Sequence, residues 1–171
     1  MNLDNLCLAW FQAHRSPFLD LLMKGISSVT SSEMCCLWAG IIAIILMFRR
    51  RYMRGSILFF GTIIAAILIK VLKLAFSRQR PPTSTIWDSY SFPSGHALSS
   101  IVFFGLAAWI LSLDYPSRRK SIHAMAAALT LWVGLSRVIL GFHWPSDVIG
   151  GYLIGYIFLR SWLWIMLKLS V

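Results

Sequence analysis

Three short polar clusters interrupt an otherwise apolar chain: Lys73-Leu-Ala-Phe-Ser-Arg-Gln-Arg80-Pro81, Pro93-Ser94-Gly95-His96, and Ser136-Arg137 followed by His143 and Asp147. Their residue types suit the handling of a phosphate. Arg80 and Arg137 carry planar forks matched to two oxygens of one phosphoryl group, and Lys73 adds a compact charge. Ser94 and Gly95 stand just before a helix expected to start near His96. The first N–H groups of such a helix have no partner within it and face an anion favourably. Gly95 lets that backbone come close. Three cations, a hydroxyl and a helix N-terminus thus converge on something dianionic.

Two histidines add reactivity. His143 and Asp147 stand one helical turn apart, with Pro145 between them in a place that suits the first turn of a helix. An aspartate so placed accepts from one imidazole nitrogen, fixes the tautomer and leaves the other nitrogen to attack. This is the orienting logic of a triad, with histidine as the nucleophile. His96 is then the candidate general acid for the departing oxygen. No Cys/His/Asp cluster has metal-ligand spacing, so neither a metal nor another cofactor is expected. Cys7, Cys35 and Cys36 read as small hydrophobes.

The elements that must position these groups are membrane spans. The 171 residues are 58% hydrophobic and only 13% charged, with a mean hydropathy of +0.72. A soluble domain carries about 25% charged residues. An ordinary soluble globule and a disordered chain are both excluded. Five stretches, roughly 34–48, 56–76, 97–113, 121–140 and 148–167, approach the ~20 apolar residues that a span requires. A sixth, about 17–32, is weaker, and its Asp20 and Lys24 sit at a spacing that allows a pair on one helix face. Leu3, Leu6, Cys7, Trp10 and Phe11 recur at helical spacing and predict an amphipathic interfacial helix. The expected fold is therefore all-α: a polytopic membrane helix bundle of six transmembrane spans behind an N-terminal interfacial helix, with residues 1–171 as one domain. Gly151 and Gly155 form a GxxxG that, with Gly150, lets the last helix approach a neighbour.

The net charge of +10 would suggest nucleic acid in a soluble protein. Here most of it reads as topology, and no nucleic-acid partner is expected. Arg49, Arg50, Arg51 and Arg54 fall in one loop and Arg118, Arg119 and Lys120 in another, which makes both loops cytoplasmic by the positive-inside rule. Counting six spans from there places both termini in the cytoplasm. It places residues 77–95 and 141–147 together on the outer side. No secretory signal is read at the start. Two spans and a turn separate His96 from His143, so both return to that outer face. Lys73, Arg80 and Arg137, on or beside the face where such charges are disfavoured, need a function.

The motifs KxxxxxxRP at 73–81, PSGH at 93–96 and SRxxxxxHxxxD at 136–147 resemble the three-part signature of the type 2 phosphatidic acid phosphatase family. The resemblance implies a metal-independent lipid phosphatase working through a phosphohistidine. In it His143 is the nucleophile, Asp147 its orienter and His96 the acid; Lys73, Arg80, Ser94, Gly95 and Arg137 bind the phosphoryl oxygens. It also implies an enzyme of the bacterial cytoplasmic membrane whose site faces the exterior, with a lipid phosphate and the bilayer as its partners. Undecaprenyl diphosphate is the favoured substrate. Phosphatidylglycerol phosphate, phosphatidic acid and the 1-phosphate of lipid A are alternatives. A lipid-to-lipid phosphotransferase and a non-enzymatic membrane scaffold are the competing functions. Beyond the residues that the motifs specify, Arg78 faces either the pocket or the headgroups, Lys70 snorkels toward the outer surface, and His14 and His123 are structural. Tryptophans such as Trp87, Trp144, Trp162 and Trp164 are expected to anchor the interface, and Asp88 to be solvated.

Overall fold

In a computed structural model, residues 3–86 and 89–169 are described. Trp87 and Asp88 lie outside them. The described residues form seven α-helices: α1 (Leu3–Ala13), α2 (Pro17–Val29), α3 (Ser32–Phe48), α4 (Tyr52–Phe76), α5 (Gly95–Asp114), α6 (Arg119–Ile139) and α7 (Pro145–Lys168). Local signals account for several boundaries. Ser16 and Ser31 cap α2 and α3 by accepting from Leu19 N and Met34 N, and Pro17 and Pro145 open α2 and α7. Ser77 ends α4 in the left-handed region at φ 46°, its N–H returning to Lys73 O.

α5 is the central helix and packs against α3, α4, α6 and α7. Leu98, Val102 and Leu106 of α5 join Ala39, Leu58, Ala65 and Leu159 in the main core. The opposite faces of the outer helices present Ile44, Phe60, Ile67, Leu153 and Ile157, as a hydrocarbon surround allows. Where α7 meets α5, a Cβ on Gly151 would stand 2.8 Å from Ser94 O and 3.0 Å from Ala97 Cβ, and one on Gly155 3.1 Å from Leu98 O. The GxxxG face therefore sets the α5–α7 approach, whereas Gly150 faces the Phe92 ring. Gly151→Val is expected to destabilise the protein by roughly 1–3 kcal/mol, the usual cost of overpacking, and to lower activity by separating α7 from Ser94. Thermal unfolding in detergent checks it against Gly25→Ala, where an added Cβ meets nothing within 4 Å and little loss is expected.

The span count departs from expectation. Four helices (α4, α5, α7, and α6 with the short turn before it) are long and apolar enough to cross a bilayer; α2 and α3, bent by 51° at their junction, supply a fifth only when taken as one span. Six spans are not reached among the described residues. α2 has 13 residues, about 20 Å of helix against a hydrocarbon core of about 30 Å. It runs over the end of the bundle that holds the polar motifs: Leu19 and Met23 pack with Ile139 and Leu140, and Ser27 bonds to His96 and Arg137. α1 sits at that end as well, with Asp4 bonded to Arg78 and Ser146. Lys168 closes the 24-residue α7 that starts beside Asp4, about 36 Å further along. Asp4 and Lys168 thus lie at opposite ends of the bundle, and both termini on one face is corrected accordingly. The far end also gathers the basic loops, where Arg51 and Arg54 (2.7 Å) pair with Asp114 and tie α4 to α5. Asp20 pairs with Arg15 through bonds of 2.9 and 2.7 Å rather than with Lys24.

Candidate active site

All three polar motifs meet at one end of the bundle. Lys73 comes from the last turn of α4, Ser94 to His96 from the start of α5, Arg137 from the last turn of α6, and Asp147 from the first turn of α7. Hydrogen bonds hold the connecting segments together. Ser91 N donates to Arg78 O at 2.8 Å, and Ser91 Oγ donates to Gln79 O at 3.0 Å, so 78–80 run beside 91–94. Ser94 N donates to Asp147 O at 3.0 Å and locks α5 to α7.

His143 is 2% exposed and Asp147 fully buried. Nδ1 of His143 faces Asp147 Oδ2 at 3.4 Å, while Nε2 stands 3.3 Å from Arg80 Nη1. Asp147 is itself held: Oδ2 accepts from Trp144 N at 2.9 Å and Oδ1 from Arg78 Nη1 at 2.6 Å. The carboxylate that caps α7 is therefore the one that faces the imidazole. Burial, then the charges of Arg80, Arg137 and Lys73, hold the His143 pKa well below its ordinary value. The imidazole stays neutral, as a nucleophile requires.

Beside it lies a cradle for an anion. Ser94 Oγ and Arg137 Nε are buried and make no hydrogen bond among the described residues. A serine at an N-cap ordinarily caps its own helix; Ser94 does not, so its hydroxyl and the first N–H groups of α5 are both available. Arg137, 4% exposed, is fixed by Nη1 donating to Ser27 Oγ and by the Phe142 ring 4.6 Å from its guanidinium. Arg80 is anchored by Ser89 O at 2.9 Å, Ser89 Oγ at 2.8 Å and Phe142 O at 2.8 Å, and Lys73 Nζ donates to the Tyr90 carbonyl. Gly95 is pressed from another side, where a Cβ would meet Ser32 Oγ at 3.2 Å. His96 Nε2 stands 3.2 Å from Ser27 O; a carbonyl only accepts, so Nε2 carries the proton. A cleft of about 850 Å³, lined among others by Lys70, Lys73, Arg80, Ser89 and Tyr90, leads to this cradle. A buried neutral imidazole oriented by a carboxylate, beside three cations and a helix N-terminus, can attack phosphorus and stabilise the charge that develops.

The model of the PAP2 superfamily matches residues 54–170, which contain every one of these motifs. The chain belongs to the PAP2 superfamily. Among curated relatives it is 33% identical to phosphatidylglycerophosphatase B of Bacillus subtilis over 82% of this chain and 72% of that protein. It is 37% identical to undecaprenyl-diphosphatase of Sulfolobus acidocaldarius over 69% of this chain and 58% of the relative. Its fold superimposes with a TM-score of 0.85 and 26% identity on the crystal structure of a transmembrane PAP2-type phosphatidylglycerolphosphate phosphatase from Bacillus subtilis, covering 96% of this chain and 85% of that one. This PAP2 protein is a membrane lipid phosphate phosphatase.

The structure brings all eight motif residues to one end of this PAP2 bundle. It adds residues the motifs do not contain. Arg78 faces Asp147 rather than the headgroups. Ser27 touches His96 and Arg137, and Asp4 and Ser146 surround Arg78. Ser27 and Asp4 carried no spacing signal, because each meets its partner through long-range packing. Lys70 lines the cleft. Trp144 and Trp162, both half-buried, donate to Gln79 O and Ile57 O, whereas Trp164 is exposed beside Lys168.

Proposed function

We propose that the protein hydrolyses a lipid phosphate without a metal, through a phosphohistidine at the outer face of a bacterial cytoplasmic membrane. The observation that carries this reading is the buried His143, with Nδ1 turned to Asp147 and Nε2 turned to the cradle of Arg80, Arg137, Lys73 and Ser94. In the first step a bond forms between His143 Nε2 and phosphorus while the bond to the lipid oxygen breaks, and His96, acting as the imidazolium whose Nε2–H stays on Ser27 O, gives that oxygen its Nδ1 proton. In the second, water attacks phosphorus, returns a proton to His96 and releases phosphate and free His143. The side chains of Lys73, Arg80 and Arg137 supply the positive charge that a metal supplies elsewhere. The basic loops at the far end favour the cytoplasm there, which supports a site on the outer side.

The cleft favours a headgroup with two anionic groups. Lys70 lies on it beyond the residues that hold the reacting phosphate. Undecaprenyl diphosphate presents a second phosphate next to the first and remains the favoured substrate. Phosphatidylglycerol phosphate is the second reading, supported by the likeness to phosphatidylglycerophosphatase B along 72% of that relative. Phosphate release by purified protein in EDTA, across these two lipids, phosphatidic acid and lipid A, is the test. Release is expected to be several-fold faster from the first two and to appear in solution rather than on a second lipid. Loss of activity in EDTA would sink the metal-free mechanism. Phosphatidic acid as the fastest substrate would sink the two-anion reading.

A further inference from the structure

The match to the family begins at residue 54, yet a carboxylate from residue 4 stands directly behind the nucleophile's partner. Asp4 Oδ2 accepts from Arg78 Nη2 at 2.8 Å and from Ser146 Oγ at 2.5 Å, and Oδ1 accepts from Ser146 N at 2.9 Å. The other fork of Arg78, Nη1, reaches Asp147 Oδ1 at 2.6 Å and Ser146 Oγ at 2.8 Å. One guanidinium therefore bridges a carboxylate of α1 and the carboxylate that faces His143. Burial raises the Asp4 pKa, but the bonds from Ser146 and Arg78 outweigh it and leave the group below its ordinary value, ionised.

We propose that Asp4 is a positioning residue for the phosphatase reaction: it holds Arg78, Arg78 holds Asp147, and Asp147 in turn orients His143. This rests on His143 being the nucleophile. Arg78 occupies a position that the KxxxxxxRP pattern leaves unspecified, and its side chain is about one-third exposed. A long side chain in that setting samples many rotamers unless both ends of its fork are bound. Asp4 binds one end. It also accepts from an N–H in the first turn of α7, a donor with no partner inside its own helix, so α1 caps the helix that carries Asp147. Two carboxylates on one guanidinium leave a net negative charge behind the imidazole, which favours the positive charge His143 acquires as it attacks. Packing alone does not require this contact, because Leu8 already seats α1 against Ala97, Val138 and Val148.

The test is a double-mutant cycle with Asp4→Asn and Arg78→Gln, read as kcat and KM on a lipid phosphate, with Leu8→Ala as a control for loosening α1. Asp4→Asn is expected to lower kcat about tenfold, as loss of an orienting partner behind a reacting group does, with KM within about twofold. It should add no further loss to Arg78→Gln, because the two act in series. Leu8→Ala should lower the thermal midpoint at least as much with a smaller loss of kcat. Wild-type kcat in Asp4→Asn, losses that multiply in the double variant, or an equal kcat loss in Leu8→Ala at matched stability would each overturn it. If Asp4→Asn does not fold, Arg78→Gln alone decides: an unchanged kcat overturns the coupling. Activity in His143→Ala would instead remove the nucleophile on which the inference rests.

Discussion

Replacing His143 with alanine is expected to lower phosphate release by at least about 10⁴-fold, the scale seen when the nucleophile of a triad is removed. Rapid quenching with ³²P-labelled lipid should trap an acid-labile phosphoenzyme in the parent protein and none in the variant. A labelled variant would place the covalent bond on another residue. Its pH dependence carries a second expectation. The His143 pKa is lowered by burial and by Arg80, Arg137 and Lys73, so the free enzyme keeps a neutral nucleophile below the ordinary histidine value of about 6.5. In kcat/KM, the acid limb due to His143 should lie below that pH. Arg80→Gln removes one of the charges that depress it and should move the limb upward, besides weakening substrate binding. Comparing the two proteins on one substrate cancels the ionisation of the lipid itself. The same shift sets a stability trend. Above about 6.5 the imidazole is neutral in folded and unfolded chains alike; as pH falls toward the folded pKa, the unfolded chain takes up the proton first and stability is lost.

Replacing His96 with glutamine is expected to cost about 10²–10⁴-fold on a lipid phosphomonoester, the usual contribution of a general acid. The loss should be far smaller on p-nitrophenyl phosphate, whose leaving group departs without a proton. With that substrate the first step survives, but no group activates water for the second, so phosphohistidine should accumulate in the variant. Equal losses on both substrates, with no trapped intermediate, would assign His96 to binding rather than proton transfer. Ser27 orients His96 through its carbonyl at 3.2 Å and meets Arg137 through its hydroxyl. His96 and Arg137 therefore share a single anchor on α2.

Much of this site was legible in the sequence because its parts depend on short-range rules. A serine and a glycine before an apolar run announce a helix N-terminus. A histidine, a proline and an aspartate within five residues announce a capped first turn that presents both side chains together. Apolar length announces spans, and their parity returns Lys73, His96 and His143 to one face. Hydropathy does not tell whether a short apolar segment crosses the bilayer or lies over a bundle's end, because both bury similar side chains. That is why α2 reads as a span in the sequence, and why the count of spans puts residues 4 and 168 on one face although they lie at opposite ends of the bundle.

By itself, then, the sequence determined the helical class, the membrane setting and the motifs whose eight residues the fold gathers at one end, since each rests on residue type and on spacing within a few turns. Tertiary structure alone decided that Asp4 and Lys168 lie at opposite ends, that Arg78 faces Asp147, and that Ser27 braces His96 and Arg137. They rest on contacts between residues up to 142 apart (Asp4 to Ser146). No local pattern encodes them, because each exists only once the helices have packed and the buried charges have found the partners that burial demands.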